Sequence, residues 1–354
     1  MRLPLLFNPQ SGSRPKDPDA LLRPLGKETR GRVECVPFGP PWDFEPSIAQ
    51  AKAAGGPLLI WGGDGTAHHA ARALLAVGCP VPLGVIPGGS GNGLVRGLRT
   101  PLEPEGALQR LLEGRELRMD LPRLDGEPFL NLCGTGFEAA VAHRFAEMQS
   151  RGFAAYARAC LRLWRTWPEA ALRWDALRSP DPEPATPLER LREAWRGRDP
   201  DLPDRAWSLC FANLPQYGSG LWIAPHADPT DGALQWARLR RPSWFDLMAE
   251  APVLFREGGH TPLRQEGRLL RAILFLDRPL PWHLDGEPAP SRDRAELTLE
   301  ARAFRMQVTG GCPWTEAPWK TNGPGRAVRS AQISPRLSRD TPPDRSGSGP
   351  GTGR

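Results

Sequence analysis

The stretch Leu58–Leu74, LLIWGGDGTAHHAARAL, decides the fold. An apolar run meets two glycines, an aspartate and a third glycine, and an alanine-rich segment follows. The run reads as a buried strand over 57–61 and the segment Thr66–Val77 as a helix. Glycines at a strand end let the backbone approach an anion without a Cβ clash, and the first N–H groups of the next helix face it unpaired. Strand, glycine turn and helix together make an anion cradle. An acid inside such a cradle repels phosphate unless it serves a metal, an attacking hydroxyl or the arrangement of the turn. Asp64 is therefore either a catalytic group or a structural turn acid, since Asp-Gly is also a common turn pair.

Val85–Leu98, VIPGGSGNGLVRGL, repeats the pattern one strand further on, with Ser90 and Asn92 at a helix start. Two such turns on consecutive strand ends meet across one cleft, and the polar turn NPQSGS after the apolar run Leu3–Phe7 borders it. Strands are expected at 3–7, 32–36, 57–61 and 81–87, with helices such as PSIAQAKAA between them. Strands alternating with helices at this spacing predict a parallel α/β sheet with its loops at the carboxyl ends of the strands.

After about Leu121 the alternation stops. PFLNLCGTGF, AWSLCFANLPQYG, GALQWARLRR and LLRAILFLDRPLPWHLDGE read as strands, and Phe137–Trp167 as an inserted helix interrupted at Gly152. Ser179–Asp204, rich in Pro and charge, reads as a surface excursion. The expected division is a nucleotide-binding α/β domain over 1–121, a strand-rich, β-sandwich-like domain over 122–314 whose last strands can return to the first, and a disordered basic tail over 315–354.

The formal charge of the 354 residues is +6, of which the segment from Thr315 onward carries +4. The folded part is therefore nearly neutral, and no nucleic-acid footprint is expected. Only four of the 46 bases are lysines (Lys16, Lys27, Lys52, Lys320), a bias that fits a GC-rich coding sequence. The six cysteines (Cys35, Cys79, Cys133, Cys160, Cys210, Cys312) form no C-x-x-C pair and read as reduced core thiols. The apolar run before Asn8 is too short for a signal peptide, and nothing approaches the roughly 20 apolar residues that span a bilayer. A soluble, cytoplasmic protein is the expectation.

NPQSG, GGDGT and IPGGSGN, in this order and spacing, resemble the catalytic domain shared by diacylglycerol kinases, sphingosine and ceramide kinases and bacterial lipid kinases. MDLPRLDGEPFLNLCGTGFEAAV, YGSGLWIAPHADPTDGAL and HLDGEP extend the resemblance to about residue 312. It implies a lipid kinase that uses ATP and Mg²⁺. Asn8, Ser11, Gly12, Gly62, Gly63, Asp64, Gly65, Thr66, Gly89, Ser90, Gly91 and Asn92 would wrap the nucleotide. Asp285 would accept the proton of the lipid hydroxyl with Glu287 beside it, Asp64 being the competing base. A structural metal would sit on the Asp231 turn, with carbonyls near Asp228 and Ala233. A lipid substrate implies transient contact with a membrane surface, for which the arginine- and aromatic-rich Arg151–Trp167 is a candidate. A homodimer is compatible with the sequence.

Where many family members place a carboxylate after GGDGT, this chain has His69, mostly neutral at pH 7. DGEP occurs twice, at Asp125–Pro128 and Asp285–Pro288, so the string alone decides nothing. Two alternatives stand: a small-molecule kinase of the NAD-kinase type, which shares a GGDG turn, and a homologue that binds lipid or nucleotide without turnover.

Overall fold

The computed structural model describes residues 1–9, 17–147, 160–178 and 202–315. Ser11, Gly12, most of the stretch Arg151–Trp167, nearly all of the 179–204 excursion and the tail beyond 315 lie outside the described residues.

Strands β1 (Leu3–Phe7), β2 (Val33–Pro37), β3 (Leu58–Gly62) and β4 (Leu83–Pro87) are parallel, in the spatial order β4-β3-β1-β2. β1, β3 and β4 are buried at every residue, as strands covered on both faces must be. Alternation sends Leu6, Leu58, Ile60, Leu83 and Val85 into one core and Leu5, Phe7, Leu59, Trp61 and Ile86 into another. Helices α1 (Pro18–Leu22), α2 (Lys27–Gly31), α3 (Glu45–Ala54), α4 (Asp64–Ala76), α5 (Gly93–Gly97) and α6 (Pro104–Leu112) connect these strands and follow them. Ile48 of α3 and Ala67, Ala70 and Leu74 of α4 close the first core, while Leu21 of α1 and Leu108 of α6 close the second. α4 begins two residues before the sequence-based start, with Gly63 as its extended N-cap. Asp64 thereby enters the first helical turn, where a negative charge suits the helix dipole.

The strand-rich half contains β5 (Arg115–Leu124), β6 (Glu127–Pro128), β7 (Leu132–Gly136), β8 (Ala170–Arg178), β9 (Arg205–Ala206), β10 (Ser208–Ala212), β11 (Gln216–Gly218), β12 (Leu221–Trp222) and β13 (Leu234–Leu239). It ends in a long hairpin of β14 (Arg264–Leu284) and β15 (Glu287–Val308). α7 (Phe137–Glu147) follows β7, and α8 (Trp244–Glu250) runs into a single 3-10 turn, Ala251–Phe255. β14 pairs with β13 at its start and with β7 at its end, and β10 lies between β7 and β13, so these pairings close on themselves. Phe211, Trp236 and Trp282 fill the core they share with Leu269 and Leu297.

β15 joins the two halves. It pairs antiparallel with β14 and β5, and at Met306 and Gln307 it lies parallel to β4. All of these strands belong to one connected sheet, and residues Met1–Glu316 form one compact unit.

Candidate active site

Asp64 answers the question its position poses. Its Oδ2 accepts the N–H of Gly93 and its Oδ1 the N–H of Leu94, each at 3.0 Å. These are the first donors of α5, so the chain's own carboxylate occupies the anion position at the start of the second helix. Burial pushes the Asp64 carboxyl above its ordinary range, the two N–H donors pull it down, and the Asp285 charge adds to the rise.

The glycine turns meet backbone to backbone. A Cβ on Gly89 would stand 2.6 Å from the Cα of Gly63, and Gly88 N–H donates to Gly62 O at 2.9 Å. Thr66 packs over the end of β3, where a Cβ on Gly62 would lie 2.6 Å from its own Cβ. Asn92 closes the second turn from within, accepting from Gly89 N–H at 2.9 Å and donating to Gly89 O at 2.8 Å, in a left-handed conformation with φ of 53°. The segment after β10 seals the outside: Ser219 N–H donates to Gly91 O, and a Cβ on Gly93 would strike the carbonyl of Tyr217 at 2.2 Å. Asn8 stands half-buried at the end of β1.

The β14–β15 turn arrives from more than 200 residues downstream. Asp285 and Gly286 both have positive φ, 51° and 89°, as a two-residue Asp-Gly hairpin requires. Asp285 Oδ1 accepts from the N–H groups of Asn131 at 2.8 Å and Leu132 at 3.2 Å. Its Oδ2 accepts from Leu130 N–H and lies 3.0 Å from His68 Nδ1. Both partners of that last contact are buried. A carboxylate only accepts, so the His68 contact runs from Nδ1–H to Asp285. His68 is a functional candidate that the motifs alone do not single out. The available signal was its place one helical turn after Asp64, on the same face of α4.

Glu287 differs from both aspartates. It is exposed, and its side chain makes no hydrogen bond or ion pair among the described residues. Its carboxylate lies against the Cα of Gly65, where a Cβ would overlap its Oε1. His69 stacks on Trp42 at 5.1 Å between centroids, and burial together with the neighbouring His68 lowers its pKa. It is a neutral, half-buried ring at pH 7.

Behind the turn, His283 Nδ1 accepts from Gly286 N–H at 3.2 Å, and its Nε2 faces Glu138 Oε1 at 3.5 Å. Glu138 also accepts from the Cys210 thiol at 2.6 Å. Three elements thus hold the Asp285 turn: the lead-in to β7, α4 and, through Glu138, α7.

The Asp231 turn is already charge-balanced in part. Asp231 pairs with Arg268 and accepts from Ala233 N–H at 2.9 Å, while Asp228 accepts from the N–H and hydroxyl of Thr230. Asp120 lies close by, bound to the N–H groups of Gly232 and Arg302. No group of three or more metal-ligating side chains gathers among the described residues. A metal at this turn would have to take Asp231 from Arg268.

Burial pushes Asp120 and Asp231 up to about 6, with the charge of Asp228 adding to both. Both hold a proton more tightly in the folded than in the unfolded chain. The stability linked to them is full below the ordinary carboxylate pKa, about 4, and is lost as the pH rises through about 6. Asp228→Asn keeps the acceptor for Thr230 and removes the repulsion, so its loss of thermal midpoint between pH 4 and pH 7 should be smaller than the parent's. Parallel losses would show that the three acids do not interact.

Three further substitutions separate structure from chemistry. Asp64→Asn leaves one buried N–H without an acceptor, and Gly89→Ala drives a methyl into Gly63. Each should cost about 1–3 kcal/mol in denaturant unfolding. Glu287→Gln should unfold within about 0.5 kcal/mol of the parent. A parent-like Asp64→Asn would remove the clamp from the account.

Residues 2–124 match the profile of the diacylglycerol kinase catalytic domain. The chain is 28% identical over 285 residues to a protein named diacylglycerol kinase from Mycobacterium tuberculosis, covering 77% of this chain and 84% of that one. It is 28% identical over 320 residues to a Pseudomonas aeruginosa protein named "Probable lipid kinase YegS-like", covering 84% and 91%. The crystal structure of a diacylglycerol kinase from Bacillus anthracis shares the fold, with a TM-score of 0.63 at 16% identity over 87% of this chain and 97% of that one. Both glycine turns and β1–β4 fall inside the matched segment, and the two relatives extend the similarity far into the strand-rich half; it is to proteins named as lipid kinases, with a diacylglycerol kinase catalytic domain, that this chain is similar.

Proposed function

We propose that the protein transfers the γ-phosphoryl group of ATP to the hydroxyl of a lipid of the diacylglycerol or sphingoid type. The observation that carries this reading is the delivery of Glu287 and Asp285 onto the GGDGT turn, Glu287 against Gly65 and Asp285 against His68. In this reading residues 1–121 bind the nucleotide, 122–314 bind the lipid, and the two meet at that contact.

Phosphoryl transfer asks for alignment and charge neutralisation more than for covalent chemistry. In this reading the N–H groups at the start of α4, on the GGDGT turn, face the phosphates, because Gly88, Gly89, Gly93 and Leu94 already donate to acceptors within the protein. Mg²⁺ takes one or two carboxylates plus phosphate oxygens, and Glu287, whose side chain has no hydrogen-bond partner among the described residues, fits that role; the ion would neutralise the phosphate charge. The lipid hydroxyl gives its proton to the Asp285–His68 pair while its oxygen bonds to the γ-phosphorus and the bond to ADP breaks. Asp285 already accepts four hydrogen bonds, about the capacity of a carboxylate, so it holds His68 and the turn in register.

The test is transfer from Mg-ATP to a panel of diacylglycerol, monoacylglycerol, sphingosine, ceramide and phosphatidylglycerol. Asp285→Asn and His68→Ala are each expected to lower kcat about 100-fold or more on the accepted lipid, with ATP binding retained. ATP binding without transfer to any of these lipids would overturn the reading in favour of another acceptor.

A further inference from the structure

Eight large hydrophobic side chains are exposed among the described residues, and four of them fall on α8 and the 3-10 turn that continues it. Trp244, Phe245 and Met248 of α8 are 63%, 80% and 67% exposed, and Phe255 of the following 3-10 turn completes the group. Leu161 joins them through Trp164, which lies 6.0 Å from Trp244 ring to ring and donates to Pro242 O at 3.1 Å. A folded chain that leaves this much apolar surface in water on one short stretch presents an interaction site.

Beside these residues, and sharing Leu161 with them, is an apolar cavity of about 220 Å³ lined by Phe137, Leu161, Trp164, Trp207, Leu254 and Leu263. Phe137 and Trp207 stack at 3.8 Å to form one wall. β7 links this cavity to the candidate active site. Its first residue, Leu132, donates to Asp285, and Phe137 follows its last. Five residues of strand place them about 16 Å apart.

Charge selects the partner. Arg162, Arg165, Arg241 and Arg256 are exposed, flank the exposed apolar residues along the chain and form no ion pair among the described residues. Asp246 is neutralised by Arg240 and Glu257 by Arg99, which leaves Glu250 as the unpaired acid on α8 and the 3-10 turn. Exposed Trp and Phe flanked along the chain by exposed arginines match the boundary between acyl chains and anionic headgroups. A second copy of this chain would instead bring arginines against arginines across a two-fold axis.

We infer that α8 and the 3-10 turn dock the protein on an anionic phospholipid bilayer, with Phe245 and Met248 inserted and the cavity opening toward the acyl chains. The inference rests on the lipid-kinase reading for its choice of partner. It puts the docking surface mainly on 244–255 rather than on Arg151–Trp167.

The experiment is co-sedimentation of the full chain with vesicles of phosphatidylcholine and phosphatidylglycerol, without ATP or substrate. The parent should sediment, less so at high salt, and Phe245→Asp with Met248→Asp should lower the partition coefficient about tenfold or more. Val77→Asp, at an exposed apolar position at the end of α4, should leave it unchanged, and the thermal midpoints of both variants should stay near the parent's. A parent that does not sediment, a double variant that sediments like the parent, or equal loss in Val77→Asp would overturn the assignment. A double variant that shifts only the elution volume of the free protein would mark a self-association face and overturn it too. Because no turnover is read, phosphorylation of no lipid alongside Phe245-dependent sedimentation would reject the kinase reading and leave the docking surface standing.

Discussion

The Asp285 carboxylate, gripped by the N–H groups of Leu130, Asn131 and Leu132 and by the ring of His68, is the constraint on which the site depends. It ties together parts of the chain 217 residues apart, α4 after the third strand of the first sheet and the β14–β15 turn of the strand-rich half. Removing the carboxylate would orphan four donors in a buried place, which is costly in its own right. Thus one residue both completes the fold between the halves and stands where the chemistry is proposed.

Much of this was legible in the sequence because it is local. Continuous apolar runs mark β1, β3 and β4, and glycines followed by alanine-rich segments mark the cradles. The two DGEP strings show where locality ends. Asp125–Gly126 and Asp285–Gly286 adopt the same positive-φ hairpin, so the same four residues predict the same turn correctly twice. One turn hangs its aspartate on Arg292 and the Glu296 N–H at the surface, and the other is buried against β7. That difference comes from which strand lies opposite, and no turn sequence encodes it.

For a related reason the sequence alone leaves Asp64 between two roles. An acid at a helix start is a local signal, but its partners belong to the next helix, one strand away. The apolar face of α8 carries no motif, and WFDLM has no distinguishing mark in sequence until the neighbouring elements are in place. The aromatic stretch Arg151–Trp167 drew attention instead because its arginines alternate with rings in plain view.

The last residues of β15 lie beside β4, and β5 pairs with the same strand from Leu297 to Val308. The first sheet therefore keeps an open edge until nearly the whole described chain has been made. During synthesis the glycine turns emerge well before the strand that completes their sheet, whose Met306 follows them by more than 200 residues. Contacts of such long sequence separation are slow to form. The segment 2–124, self-sufficient as a sequence pattern, is on this topology a half-finished object awaiting its final strand, and a truncation before Met306 should expose β4 to pairing with foreign strands.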